Sequence, residues 1–401
     1  MTRRRPLPFA AAALAAIAVA AGAVLLAGCD GGSDAAPPAE TSAGLDGDGG
    51  LERCASLAED SARSCYAEEL KALVDEAGEP GAALEEIAVA AYTSGDGFLL
   101  ANCHGLMHTV GREYALASGV TLASLMDVLP QTNEPGCSAG FAHGLITGVA
   151  PEIDVSRPES SAAVCDETTT RYQRYSCIHG FGHAFMRISG EELAEALRLC
   201  GALGAEAPDC AQGAFHDYWF AVAGHDDTER PHTVVEDPRA LCGGQAPEFV
   251  RPCWYRAFVD DRPDEPVASG ADIEALCAGL DGLQRQACVT AASVVGPVDP
   301  GAQLAVCTEL QGEDVVSCIR GTKVQNLITS PGEEFVALLR RCEAFPAAAG
   351  LECYRWLGKV LTVLTNGEFE QLGCPAAPSE RARRACVRGA RASDEALETF
   401  S

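Results

Sequence analysis

Cysteine constrains this chain more than any other feature: there are 19 in 401 residues, and they fall at nearly one spacing. Cys54 and Cys65, Cys242 and Cys253, Cys277 and Cys288, Cys307 and Cys318, and Cys342 and Cys353 each enclose ten residues. Cys165 to Cys177 and Cys374 to Cys386 enclose eleven, and Cys200 to Cys210 encloses nine. The second members of these pairs, joined by Cys103 and Cys137, run from Cys65 to Cys386 at a period of about 36 residues. That is the size of a two-helix unit in tetratricopeptide or ankyrin arrays, although the signature motifs of those families are absent.

The sequence around the cysteines reads as helix. Glu191 to Cys200 places apolar residues one turn apart, and Cys353-Tyr354-Arg355-Trp356-Leu357 opens another apolar stretch. The linkers are polar and Gly- or Pro-bearing, as in Gly243-Gly244-Gln245-Ala246-Pro247. Period-two runs of β-branched residues are scarce. The expected fold is therefore all-α: a solenoid of about ten two-helix repeats, each disulfide stapling the end of one helix to the start of the next. Closing a ten-residue loop contributes ~2.5–3 kcal/mol per staple in the chain-entropy model. Cys103 and Cys137 have no upstream partner. Either they form a disulfide between adjacent repeats or they are a free thiol pair near a metal.

The N-terminus fixes the expected compartment. Arg3, Arg4 and Arg5 precede an apolar run over residues 9–27, which ends Leu26-Ala27-Gly28-Cys29. This resembles a bacterial lipoprotein signal with its lipobox, which implies cleavage before Cys29 and lipidation of that cysteine. The resemblance implies an extracytoplasmic protein held on the outer face of the cell membrane by its lipid, where disulfides persist. An ordinary secretory signal or a membrane-spanning anchor is the alternative. The expected organisation is a signal peptide over 1–28, a Gly/Ser/Ala/Pro-rich tether over 29–50, a histidine-bearing half over 51–236 and a C-terminal half over 237–401.

Lys plus Arg number 29 against 57 Asp plus Glu, a net charge of −28. Neutralising phosphates takes a surplus of basic side chains, so the composition argues against nucleic acid and against electrostatic docking on anionic lipid. A protein partner stays open.

The histidines carry the chemistry. Four successive repeats have a short motif after the second cysteine: His104-Gly105-Leu106-Met107-His108, Ala139-Gly140-Phe141-Ala142-His143, His179-Gly180-Phe181-Gly182-His183 and Gln212-Gly213-Ala214-Phe215-His216. The first starts one residue closer to its cysteine than the others. Residues i and i+4 share a helix face, so His104 with His108, and His179 with His183, present paired imidazoles. Stacked repeats would bring His104, His108, His143, His179, His183 and His216 onto one groove as ligands for a divalent transition metal: Cu, Zn or Fe. Six imidazoles would suffice for two three-histidine centres. Loss of His179 and His183 would then abolish binding, and acidification through about 6.5 would release the ion. The bland alternative is that these histidines are packing residues. Bis-imidazole haem lacks a C-x-x-C-H attachment motif here. His225 and His232 lie in a polar loop, expected to be exposed.

No H-E-x-x-H is present, so the general base of a zinc protease is missing. His216-Asp217 resembles the dyad of the HD phosphohydrolases, but helix neighbours point ~100° apart and the rest of that motif is absent. In ligand type alone, the six imidazoles resemble the paired-copper centres of oxygen-binding proteins. Glu113 and Asp217 are candidate acid–base groups. Arg112 is a candidate anion ligand or a surface ion-pair partner. Later repeats carry Arg320, Arg355 and Arg388 in the imidazole slot, expected to pair with acids or to form an anion groove. The expected function is a surface-anchored lipoprotein with a histidine-lined metal site, whether for binding, redox chemistry or catalysis. Its rival is a stapled helical scaffold for protein or glycan binding.

Overall fold

The polar linkers start the helices. Asp96 caps the helix Gly97–Ser118 by accepting hydrogen bonds from the backbone N–H of Phe98 and Leu99. Thr170 and Gln173 form a reciprocal capping box ahead of Arg171–Ile188. Pro247 opens another helix at its first position, where its missing N–H costs nothing. The computed structural model describes residues 50–132, 134–222, 230–261, 267–297, 299–322, 333–364, 370–371 and 373–392, and among them there are 19 α-helices and no strand. The proposed leader, Cys29, the tether up to residue 49 and His225 lie outside the described residues. No described helix is long and apolar enough to cross a membrane.

Ten helices carry the second-slot cysteines. In chain order they are α1 (Glu59–Ala77), α2 (Gly97–Ser118), α3 (Cys137–Gly148), α4 (Arg171–Ile188) and α5 (Ala207–Val222). They continue as α6 (Pro247–Asp260), α7 (Gly282–Val294), α8 (Glu313–Arg320), α9 (Ala347–Leu364) and α10 (Glu380–Ala390). Each packs against the next. Their faces supply most of the core, with Trp219, Trp254, Phe141, Phe181, Phe185 and Phe215 all buried.

All nine disulfides form as the spacing indicates, including Cys103 with Cys137, which ties α2 to α3. Eight of them join cysteines only 10–12 positions apart in sequence. The free-thiol alternative for Cys103 and Cys137 therefore does not hold. So many disulfides point to an extracellular or otherwise oxidising compartment. One detail differs from expectation. The second cysteine generally sits in the second turn of its helix, as Cys253 does in Pro247–Asp260, because the caps and prolines start the helix inside the linker. The first cysteine often ends only a short helical segment, as at Cys342–Ala344.

Nearest-neighbour stacking is not the whole of the packing. Helix α4 also touches α9, and histidine rings of α2 meet rings of α4 and α5. The tightest crossings are made by glycine. A Cβ on Gly140 would lie 2.1 Å from the carbonyl oxygen of His104, and one on Gly144 would lie 2.2 Å from that of His108. Across the α4–α5 crossing, a Cβ on Gly182 would lie 2.0 Å from the oxygen of Cys210, and one on Gly213 would lie 2.0 Å from that of His179. Both of these helix pairs run backbone against backbone, and three of the four carbonyls they press on belong to histidines of the repeated motif. The described residues belong to one compact unit.

Candidate metal centre

The motif histidines converge. His104 and His108 project from α2, His143 from α3, His179 and His183 from α4, and His216 from α5. The rings of His108 and His183 lie 4.6 Å apart, those of His143 and His179 4.6 Å, those of His183 and His216 5.1 Å, and those of His104 and His143 5.1 Å. His143, His179, His183 and His216 are buried, and His104 and His108 are half-buried. The groove expected from sequence is thus largely an interior site between two glycine-tight helix pairs.

Their nitrogens form three triads that can hold a metal ion: His104, His108 and His143; His108, His183 and His216; and His143, His179 and His183. The triads overlap. His108, His143 and His183 each belong to two, and His104, His179 and His216 each belong to one. Two separate three-histidine centres, as the sequence suggested, are not what the geometry offers, because every pair of these triads shares an imidazole. In the first triad, Nε2 of His108 lies 3.1 Å from Nε2 of His104 and 3.2 Å from Nδ1 of His143. Two nitrogens on one tetrahedral zinc ion stand about 3.3 Å apart at ordinary bond lengths.

The hydrogen bonds orient the rings as metal ligands are oriented. Nδ1 of His183 donates to Oδ1 of Asp217 at 2.6 Å, which leaves Nε2 as the lone-pair nitrogen, and that atom is buried without a partner. Nδ1 of His104 faces the backbone carbonyls of Gly136 and Pro135 at 3.1 and 3.2 Å, so its lone pair is also on Nε2, toward His108. Nε2 of His143 bonds the hydroxyl of Ser176 at 3.1 Å. Nε2 of His108 thus faces a nitrogen of His104 and a nitrogen of His143, a grouping an ion would bridge. Nδ1 of His179 and Nδ1 of His216 are likewise buried and unpartnered. Leaving a buried polar atom unsatisfied costs about 1–3 kcal/mol, a cost that coordination removes.

Burial holds five of the rings neutral. Desolvation, aided by the Arg256 guanidinium and by neighbouring imidazoles, lowers His104 to about 4. Desolvation also takes His108, His143, His179 and His216 well below the ordinary value, again with help from nearby positive groups. The unfolded chain takes up protons on these groups near 6.5 and the folded chain does not. Stability is therefore fully present above about 6.5 and is lost as the pH falls from there through about 4, by about 1.4 kcal/mol per group for each pH unit. A melting series on chelated protein should show the midpoint dropping between pH 7 and 4.5. A flat series would mean the rings titrate normally. For the same reason, metal release should begin below 6.5 rather than at it.

Sequence reasoning missed Arg256 and Asp260. They are i and i+4 on α6, beyond the 51–236 segment, and both are buried. Nη1 of Arg256 bonds Asp260 at 3.2 Å, Nη2 reaches Nε2 of His179 at 3.4 Å, and Asp260 lies 3.8 Å from Nε2 of His216. The available signal was a charged i, i+4 pair inside an otherwise aromatic helix, Trp254-Tyr255-Arg256-Ala257-Phe258-Val259-Asp260. Asp217 serves as the orienter of His183. Glu113 is exposed and does not line the site. His232 is exposed and lies 3.5 Å from Glu192, away from the cluster. Arg320 and Arg355 both pair with Glu352, so two of the three later slots hold salt bridges, while Arg388 shows no such pair among the described residues. No protein-family model, curated protein or solved structure matches the chain.

Proposed function

We propose that this protein is an extracytoplasmic, lipid-anchored metal-binding protein. Its six motif histidines hold a divalent transition ion inside a disulfide-stapled helical solenoid. The observation that carries this reading is His183, whose Nδ1 is fixed by Asp217 while its buried Nε2 has no partner among the rings of His108 and His216. An all-imidazole donor set suits Cu, Zn or Fe, and every described cysteine is in a disulfide, so thiolate does not compete. Residues 51–236 supply the ligands, and residues 237–401 extend the scaffold. Equilibrium dialysis of the folded protein against micromolar Zn, Cu and Fe tests the reading. Uptake of near-stoichiometric metal, unchanged by His232→Ala, is expected. No uptake of any of them would favour the scaffold for protein or glycan binding.

The anchor rests on Leu26-Ala27-Gly28-Cys29 after its basic and apolar run. Cys29→Ala should move the protein from the membrane fraction to a soluble or precursor form. Unchanged detergent partitioning and mass would count against lipidation.

A further inference from the structure

A cavity of about 70 Å³ opens onto His108, His183 and His216, with room for a small ion or a few waters. Arg63, Arg112 and Arg187 line it. Three guanidinium groups in one small cleft are unexpected in a chain with twice as many acids as bases. Several arginines elsewhere are paired with carboxylates: Arg174 with Glu206, Arg285 with Asp314, Arg320 with Glu352. Arg63 donates to Asn102 at 3.2 Å. The guanidiniums of Arg112 and Arg187 have neither a carboxylate nor a hydrogen-bond partner among the described residues. The cleft's carboxylates are Glu191 and Asp217, and Asp217 is committed to His183.

Charge balance points the same way. Imidazoles are neutral ligands, so an ion held by the cluster keeps its full double charge. Beside the rings stand Asp217, bonded to His183, and Asp260, bonded to Arg256, and buried Glu191 lines the cleft, against the three arginines there. Arg256 adds a buried positive charge of its own, 3.4 Å from His179. A divalent ion at this depth calls for an anion from outside, since uncompensated buried charge is strongly unfavourable.

We propose that the centre takes a small oxyanion as its exogenous ligand, with one oxygen on the ion and the others on the guanidiniums of Arg112 and Arg187. The planar fork of arginine suits such oxygens. This rests on the metal reading above, and the test separates the two. Full-length protein is loaded with zinc, its metal content is measured, and inorganic phosphate is titrated calorimetrically. Arg112→Gln with Arg187→Gln should load zinc as the wild type does but bind phosphate at least tenfold more weakly. Arg112→Lys with Arg187→Lys, which keeps the charge, should recover part of the loss. Chelating the zinc from the wild type should also weaken phosphate at least tenfold. Phosphate binding that is equal in the glutamine variant, equal without metal, or absent at millimolar concentration would overturn the proposal. Failure to load zinc, or copper or iron in its place, would overturn the metal reading itself, and shows before phosphate is added. Glycerol phosphate as a second probe tells free phosphate from an ester-borne one by which binds more tightly.

Discussion

Replacing His108 and His183 together by alanine should abolish metal binding, with affinity falling by more than about 100-fold. These two imidazoles between them belong to all three triads, so their loss leaves no triad with more than two ligands. Loss of a partner that merely orients a ligand costs 10- to 100-fold, and loss of two ligands must exceed that. His104→Ala with His179→Ala removes the same number of rings but leaves His108, His183 and His216 intact, and should retain an ion. The pair His179 and His183, which the sequence suggests as the target, would leave His104, His108 and His143 whole. Metal content after dialysis, on variants shown by circular dichroism to be folded, ranks the three pairs. Equal loss from all of them would mean that the triads do not act separately.

Gly182→Ala and Gly213→Ala should each destabilise the protein by about 3 kcal/mol or more, at or beyond the upper end of overpacking. The added methyl would fall 2.0 Å from a backbone oxygen in each case, of Cys210 and of His179 respectively, so no side-chain rotation can relieve it. Helices α4 and α5 would have to separate, carrying His179, His183 and His216 apart, so metal binding should fail with stability. Gly105→Ala sits in the same motif slot, yet its nearest neighbour is a side-chain atom of Phe220 at 3.7 Å. That change should be neutral or stabilise by up to ~1 kcal/mol through helix propensity. Thermal or urea unfolding of the oxidised protein checks all three. A Gly105→Ala loss matching that of Gly213→Ala would show that the motif glycine acts through something other than close approach.

Much of this was legible because covalent and periodic constraints are local. The second-slot cysteines from Cys65 to Cys386 recur at nearly one interval, so the short-loop disulfides and the helices they join follow from counting. The six ligand candidates follow from one motif on equivalent helix faces. The overlap of the triads was not legible, because it depends on how α2 sits against α4 and α5, a contact between helices that are not neighbours in the array. The irregular first motif, one residue closer to Cys103, also makes sense only in space. Cys103 bonds forward to Cys137 rather than back to a preceding helix end, so its helix need not keep the register of the others. Arg256 and Asp260 escaped because they lie in a repeat with no histidine, and only packing brings α6 beside His179 and His216.

The central claim is that these imidazoles share a metal ion, and the most direct measurement is anomalous X-ray scattering from crystals grown with zinc. A peak is expected within about 2.0–2.1 Å of imidazole nitrogens from at least two of α2, α3, α4 and α5, with Nε2 of His183 among the ligands. Peaks confined to surface positions such as His232 and Glu192, or none at all with His183 Nε2 still unpartnered, would contradict it.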